Sequence, residues 1–298
     1  MPFTDMATDT DDRKDRSMPT APTRIATAMA LGWLVLSPVH AAEDEDGCTG
    51  YIDALPATLA SQGTWCLRGD LATGIASGAA VTVATNNVTI DCHHFKIGGL
   101  AAGPGSSTDG IRSLDRLNTT IRRCAIRGFR FGVSMSGNGH VVEDNLFDNN
   151  LTIGILVSGE PGNLVQRNRV HDTGGKTGNA YASGISANAD VVDNTVAGVF
   201  AAAANTIPNG IELYGDGTQA RGNEVRGLVV AGSGSASGIT GYNKGQSIVG
   251  NHVTHSGGAG WGISGIGTAY TICSRNQVAG FGTGGLRDCL DGGGNAGL

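Results

Sequence analysis

At 298 residues and a net charge of −6, the chain has no basic excess to draw it to nucleic acid or to an anionic membrane. Glycine supplies 49 residues, about twice its usual share of roughly 7%. Glycine and proline together make 57 residues, short of the roughly 25–30% that marks a disordered chain, and 40% of residues are apolar. Disorder is thereby excluded, and an ordered, turn-rich protein is implied.

The first element in chain order is an apolar run, "IATAMALGWLVLSPV", at 25–39. Arg24 precedes it and "HAAEDEDG" follows it. A positive start, a short apolar stretch and a small-residue exit predict an export signal cleaved after Val39-His40-Ala41. The run is shorter than the ~20 residues of a membrane span. Residues 1–41 are therefore expected to be an N-terminal extension and signal peptide, with Met18 as an alternative start. The mature protein is expected in the periplasm or outside the cell, with no stable membrane span.

Residues 42–78 read as an N-terminal cap, 79–282 as the repeating body and 283–298 as a C-terminal cap. All six cysteines lie beyond the signal, and an even count in an exported chain predicts disulfides. Six cysteines allow 15 pairings. Proximity in sequence favours Cys48–Cys66, Cys92–Cys124 and Cys273–Cys289, with two buried thiols as the alternative for the middle pair. The chain has no Cys-x-x-Cys pair, so no metal site is expected.

The body is built on two recurring landmarks. One is Asn-x-apolar, at Asn145, Asn168, Asn194, Asn223, Asn251 and Asn276, with steps of 23, 26, 29, 28 and 25 residues. The other is Gly followed by Ile or Val, at Gly110, Gly132, Gly154, Gly184, Gly210, Gly238 and Gly262. Both keep the same order through the chain. Apolar residues near "GIELYG" and "NEVRG" alternate at period two, which predicts short strands. A unit of about 25 residues buries a core only by stacking on its copies. The expectation is an all-β parallel β-helix of about eight coils, with each asparagine facing inward at a turn and bonded to the asparagines of neighbouring coils.

"GTWCLRGDL" followed by "NNVTIDCHHFKIGG" resembles the N-terminal entry of right-handed parallel β-helix proteins of the pectate-lyase-like superfamily, and the Gly-Ile and Asn-x-Val coils are similar to its repeats over roughly 60–282. The resemblance implies the right-handed solenoid fold. It leaves the activity open among lyases, hydrolases, epimerases and binding proteins, because fold alone does not assign function.

Two outward sets of residues are candidates for function. Tyr214 and Tyr242 each stand three residues after a repeat Ile, and Glu212 and Thr240 one residue after it. Stacking would bring the tyrosines near Glu212, Asp216 and Lys244, with Trp261 extending the patch. Aromatic faces beside acids and hydroxyls suit a sugar. The second set comprises Glu143, Asp144, Arg167 and Arg169, with Asp109 and Asp115, and is the raw material for a lyase base and an acidic calcium site. Consecutive Glu143 and Asp144 are expected on opposite faces of a strand. Asp148 and His171, each three residues after a ladder Asn, are the best acid–imidazole candidates.

The leading expectation is an exported, non-catalytic module that binds carbohydrate or a surface, with a polysaccharide as partner and no cofactor. The runner-up is a polysaccharide lyase or glycoside hydrolase, with calcium only for the lyase. A structural or partner-binding scaffold is the third reading. The oligomeric state is left open.

Overall fold

The computed structural model describes residues 47–160, 162–266 and 270–297. The expected signal peptide and the alternative start at Met18 lie outside the described residues. No described helix is long and apolar enough to cross a membrane.

Strands fall into three sheets of eleven, nine and ten, and every pairing within them is parallel and joins one coil to the next. The chain is an all-β parallel solenoid of about nine complete turns, slightly more than the eight expected. One turn shows the plan. Ile207–Tyr214 lies in the ten-stranded sheet, called here the long sheet after its strands. Gln219–Arg221 follows in the eleven-stranded sheet and Glu224–Arg226 in the nine-stranded sheet. A loop then returns to the long sheet at Ala236–Gly241. Paired strands begin at Gly50–Ile52 and end at Leu290–Asp291. Among the described residues helix is limited to one 3-10 turn, Leu100–Ala102.

The core consists of columns, because in-register parallel pairing puts like on like. Ile111, Val133, Ile155, Ile185, Ile211, Ile239 and Ile263 stack along the long sheet, all buried. Val170, Val196, Val225, Val253 and Val278, each two residues after a ladder Asn, stack along the nine-stranded sheet. The two sequence landmarks meet inside. A Cβ on Gly184 would stand 2.3 Å from Val196 Cγ1, and one on Gly238 would stand 2.3 Å from Val253 Cγ1. The same Cβ on Gly238 would lie 2.3 Å from the carbonyl oxygen of Gly262. The repeat glycine is thus the only residue that lets the long sheet approach the valine column.

The ladder asparagines face inward as expected. Each side-chain Nδ2 donates to the Oδ1 of the next rung at 3.0–3.1 Å, from Asn145 through Asn168, Asn194, Asn223, Asn251 and Asn276 to Asn295. The second hydrogen of each Nδ2 goes to a carbonyl of the preceding coil, such as that of Val191 for Asn223 at 2.9 Å. Backbone N–H groups join in, with Asn223 N donating to Asn251 Oδ1 at 2.8 Å. From Asn145 to Asn276 every rung is therefore a buried amide with both donors and its carbonyl oxygen engaged, the condition under which buried polarity is stable.

The residue before each rung turns the corner in the left-handed region: φ is 56° at Asp144, 52° at Arg167, 54° at Asp193, 68° at Gly222 and 65° at Gly250. Glycine takes that conformation without a Cβ penalty, whereas the other residues pay one.

All three expected disulfides are present: Cys48–Cys66, Cys92–Cys124 and Cys273–Cys289. The first and last tie the outermost strands of the eleven-stranded sheet, where a strand has a neighbour on one side only. Cys124 stands at the head of the amide ladder, its backbone N–H donating to Asn145 Oδ1 at 2.9 Å. Each bridge stabilises by roughly 2–4 kcal/mol on a chain-entropy account.

Replacing Asn223 by Leu should strip the Val191 carbonyl and the Asn194 amides of their partners. At about 1–3 kcal/mol for each buried polar group left unpaired, the expected loss is about 3 kcal/mol or more. A denaturant midpoint for Asn223→Leu equal to that of the unaltered protein would remove the ladder from the account of stability.

Candidate functional site

Outward positions of the long sheet repeat with the coil. The residue before the inward Gly, the residue after the inward Ile and the third residue after it all face away from the core. The first column is Ser183, Asn209, Ser237 and Trp261, and the second is Ser186, Glu212, Thr240, Ser264 and Arg287. Tyr214 and Tyr242 form the third, their rings parallel within 5° and 4.8 Å apart.

Glu212 lies at the centre and is only 3% exposed. The Tyr181 hydroxyl donates to its Oε2, and the Tyr242 hydroxyl approaches Oε1 at 3.3 Å. The hydroxyls of Ser183 and Tyr214 also bear on the carboxyl. Burial pushes the Glu212 carboxyl above its ordinary value, and the surrounding hydroxyls only partly offset that push. Burial, with the Glu212 charge second, raises the Tyr214 phenol to about 12. Tyr181 and Tyr242 are raised by the same causes. In the next coil the hydroxyls of Ser237 and Thr240 stand 2.5 Å apart. The cluster is a shielded polar floor with aromatic walls.

The residues singled out in sequence are placed as follows. Glu212, Tyr214 and Tyr242 come together. Because the two tyrosine rings cover each other, each leaves one face and its edge for contact. Asp216 and Lys244 sit in exposed turns beyond the strands, where the Lys244 backbone N–H donates to Asp216 Oδ1 at 3.1 Å. Trp261 is half-buried against Gly284, where a Cβ would come within 2.5 Å of the ring, and the Arg287 guanidinium lies 5.8 Å from its centroid. Sequence reasoning missed Tyr181 and Ser183. Their signal was present, since both precede Gly184-Ile185 in the coil before Glu212, but offsets were counted only forward from the landmark.

The second candidate set sits at the corner between the other two sheets. The expectation that Glu143 and Asp144 face opposite ways fails. Arg167 Nη2 donates to Glu143 Oε2 at 2.9 Å and to Asp144 Oδ2 at 2.8 Å, and its Nε reaches Asp144 Oδ1 at 2.8 Å. The left-handed backbone at Asp144 ends the strand alternation and swings its carboxylate toward the side of Glu143. The Arg167 guanidinium holds Asp144 below the ordinary carboxylate range. Asp144 and Arg167, with Arg123, Arg169 and His94, line a groove of about 340 Å³.

Asp109 is buried beneath Arg112 and Arg130, while Asp115 accepts from Ser136 at 3.1 Å. Asp109, Glu143 and Asp144, engaged by guanidinium groups, do not fit a calcium site, which needs several oxygen ligands free to converge. Asp148 and His171 are neighbours in register, but Asp148 is taken by Arg127 at 3.3 Å, and His171 Nε2 is buried without a hydrogen-bond partner among the described residues. Burial pushes His171 below its ordinary value, with Arg169 adding to the effect. The group Cys48, Cys66 and His93 has its ligand atoms within 4.8 Å of one another, but the two sulfurs are a disulfide and not thiolates.

A family described as a right handed beta helix region matches residues 72–225. No curated protein matches the chain. Similar solved structures include a Dettilon tailspike protein (gp208), 13% identical, with a TM-score of 0.44 over 82% of this chain and 56% of that one. Another is the catalytic unit of a thermostable GH87 alpha-1,3-glucanase from Streptomyces thermodiastaticus strain HF3-3, 12% identical, with a TM-score of 0.42 over 83% of this chain and 61% of that one. An alginate lyase from Paenibacillus sp. str. FPU-7 is 12% identical, with a TM-score of 0.32 over 78% and 85% of the two chains. The chain thus spans 56% and 61% of the lengths of the first two proteins.

The shift at Glu212 has a measurable sign. Its carboxyl is raised on folding, so its contribution to stability is full below the unfolded value of about 4.5 and is lost as pH climbs through the folded value. Glu212→Gln keeps a neutral hydrogen-bonding group that cannot ionise. Denaturant midpoints should match those of the unaltered protein near pH 4 and exceed them increasingly toward pH ~8. Parallel curves across that range would mean that Glu212 is not perturbed.

Proposed function

The chain belongs to the right-handed β-helix family, and on that premise we propose that it is an exported, non-catalytic protein that binds a polysaccharide along the outer face of its long sheet. The observation that carries this reading is Glu212, a carboxyl sunk beneath the hydroxyls of Tyr181 and Tyr242 on the outer face of the long sheet. A perturbed acid in such a setting is the kind of group kept for a ligand. The row of Ser183, Asn209 and Ser237 supplies short polar groups at one per coil, about 4.8 Å apart, and Thr240 adds a hydroxyl beside Ser237. The free faces and edges of Tyr214, Tyr242 and Trp261 supply apolar surface. A polyhydroxylated chain with C–H faces meets both needs. Hydrogen bonds formed over this shielded floor gain from the low local dielectric.

A second reading rests on the raised pKa of Glu212, which suits a general acid in a polysaccharide-cleaving enzyme. The cluster offers one carboxyl, whereas glycoside hydrolysis ordinarily uses two, and this favours binding.

Glycan-array screening followed by calorimetry separates the readings. On the binding reading, a polysaccharide binds without being cleaved. Tyr242→Ala then weakens it about tenfold, equivalent to about 1.4 kcal/mol, and Glu212→Gln binds within a few-fold of the unaltered protein. Release of shortened or unsaturated products, abolished by Glu212→Gln with binding intact, would establish the enzyme instead. No binding to any glycan would overturn both.

A further inference from the structure

The loops that lead into Ala236–Gly241 and Gly260–Gly265 enclose a second feature, separate from the Glu212 cluster. They form a pocket of about 540 Å³, within the usual size range of small-molecule sites of roughly 300–1,000 Å³. Its walls include Leu228, Val229 and Val230 on one coil, and Ser256, Gly258 and His255 on the next.

His255 keeps hydrogen-bonding capacity that the fold does not use up. The residue is 9% exposed; the Leu228 backbone bears on its ring, but among the described residues neither Nδ1 nor Nε2 reaches a partner at full hydrogen-bond geometry. The ring packs against Phe281, 5.1 Å between centroids, a contact that an apolar ring would make equally well. Leaving a buried polar atom unpaired costs about 1–3 kcal/mol. Nε2 is directed toward the pocket wall at Gly258, where a Cβ would stand 3.7 Å from it. Gly257 and Gly258 have φ of 109° and 103°, conformations that keep side chains out of the space beside the imidazole. Burial also favours the neutral ring, in which one nitrogen donates and the other accepts.

The lining contains no charged side chain. A charged ligand would lose its hydration there without a counter-charge, so the pocket selects a neutral one. Its aliphatic wall calls for C–H surface, and the imidazole with the hydroxyls of Ser233 and Ser256 calls for hydroxyl groups. We propose that this pocket binds one uncharged sugar ring, with a ring hydroxyl completing the hydrogen bonding of His255 Nε2 and the C–H face set against Leu228–Val230. The proposal stands independently of the role of Glu212.

The test is titration of the labelled full chain with methyl glucopyranoside as a neutral probe and glucuronate as a charged one, followed by long-range proton–nitrogen NMR of the histidine rings. The neutral probe should shift the His255 ring resonances saturably, with a Kd on the order of 1 mM, the affinity of a single small contact set. Glucuronate should shift them at least about tenfold more weakly. Ser233→Trp, which fills the pocket from its exposed rim, should abolish the shift while His255 remains present. His255→Phe should abolish binding by calorimetry with the fold retained. Glu212→Gln should leave the shift unchanged, so failure here and failure of the long-sheet reading are distinguishable. No shift with the neutral probe, an equal shift with glucuronate, or binding that persists in both pocket variants would overturn the proposal.

Discussion

Everything in this solenoid depends on one hydrogen-bonding arrangement, the file of inward asparagines from Asn145 to Asn295. A parallel ladder alone leaves register weakly specified at a corner, because the chain there is no longer in a strand. The asparagine side chain continues the ladder through the corner by reproducing a peptide group: Asn223 donates to the Val191 carbonyl and accepts from the Asn194 amides on the preceding coil, and donates to Asn251 Oδ1 on the following one. A slip of one residue would bury an unpaired amide at every coil. The repeat glycine adds a steric constraint to this electrostatic one, since any side chain there would collide with the valine two residues past the ladder asparagine. Amide ladder and glycine contact together fix which residues point outward.

That outward register is what assembles the candidate site. Glu212, Tyr214, Tyr242 and Tyr181 come from three different coils and are brought together only because each coil repeats the last without drift. The site is also shielded by its own residues, with the tyrosines covering the carboxyl. Its electrostatics follow from that cover, and the loops of the other face need not be invoked. The His255 pocket is of the opposite kind. It arises where the coil lengths vary, in glycine-rich loops that the ladder does not control.

What could be read from sequence divides along the same line. The ladder and the Gly-Ile landmark were legible because they recur, and recurrence in a solenoid reports packing. Offsets counted forward from the landmark also foretold the pairing of Tyr214 with Tyr242 and their approach to Glu212. Tyr181 escaped because it lies on the other side of the landmark. Asn295 escaped because Gly297, not an apolar residue, stands two places after it. The convergence of Glu143 and Asp144 on Arg167 was hidden by the strand rule, which does not hold at a left-handed corner residue. The clue was the appearance of Gly222 and Gly250 at the equivalent place in later coils. His255 gave no signal, because its burial is set by a loop in the preceding coil and not by its own neighbours in sequence.

The central claim is that the asparagine file acts as one continuous element that holds the register of the body. Native-state hydrogen exchange at the backbone amides of Asn168, Asn194, Asn223 and Asn251 tests it directly, since each of these N–H groups donates to the Oδ1 of the next rung. The account predicts that all four exchange only through the largest cooperative opening, with free energies equal to those of the most protected core amides. Fast exchange at one interior rung, with its neighbours still protected, would show that the coils are held independently and would contradict the claim.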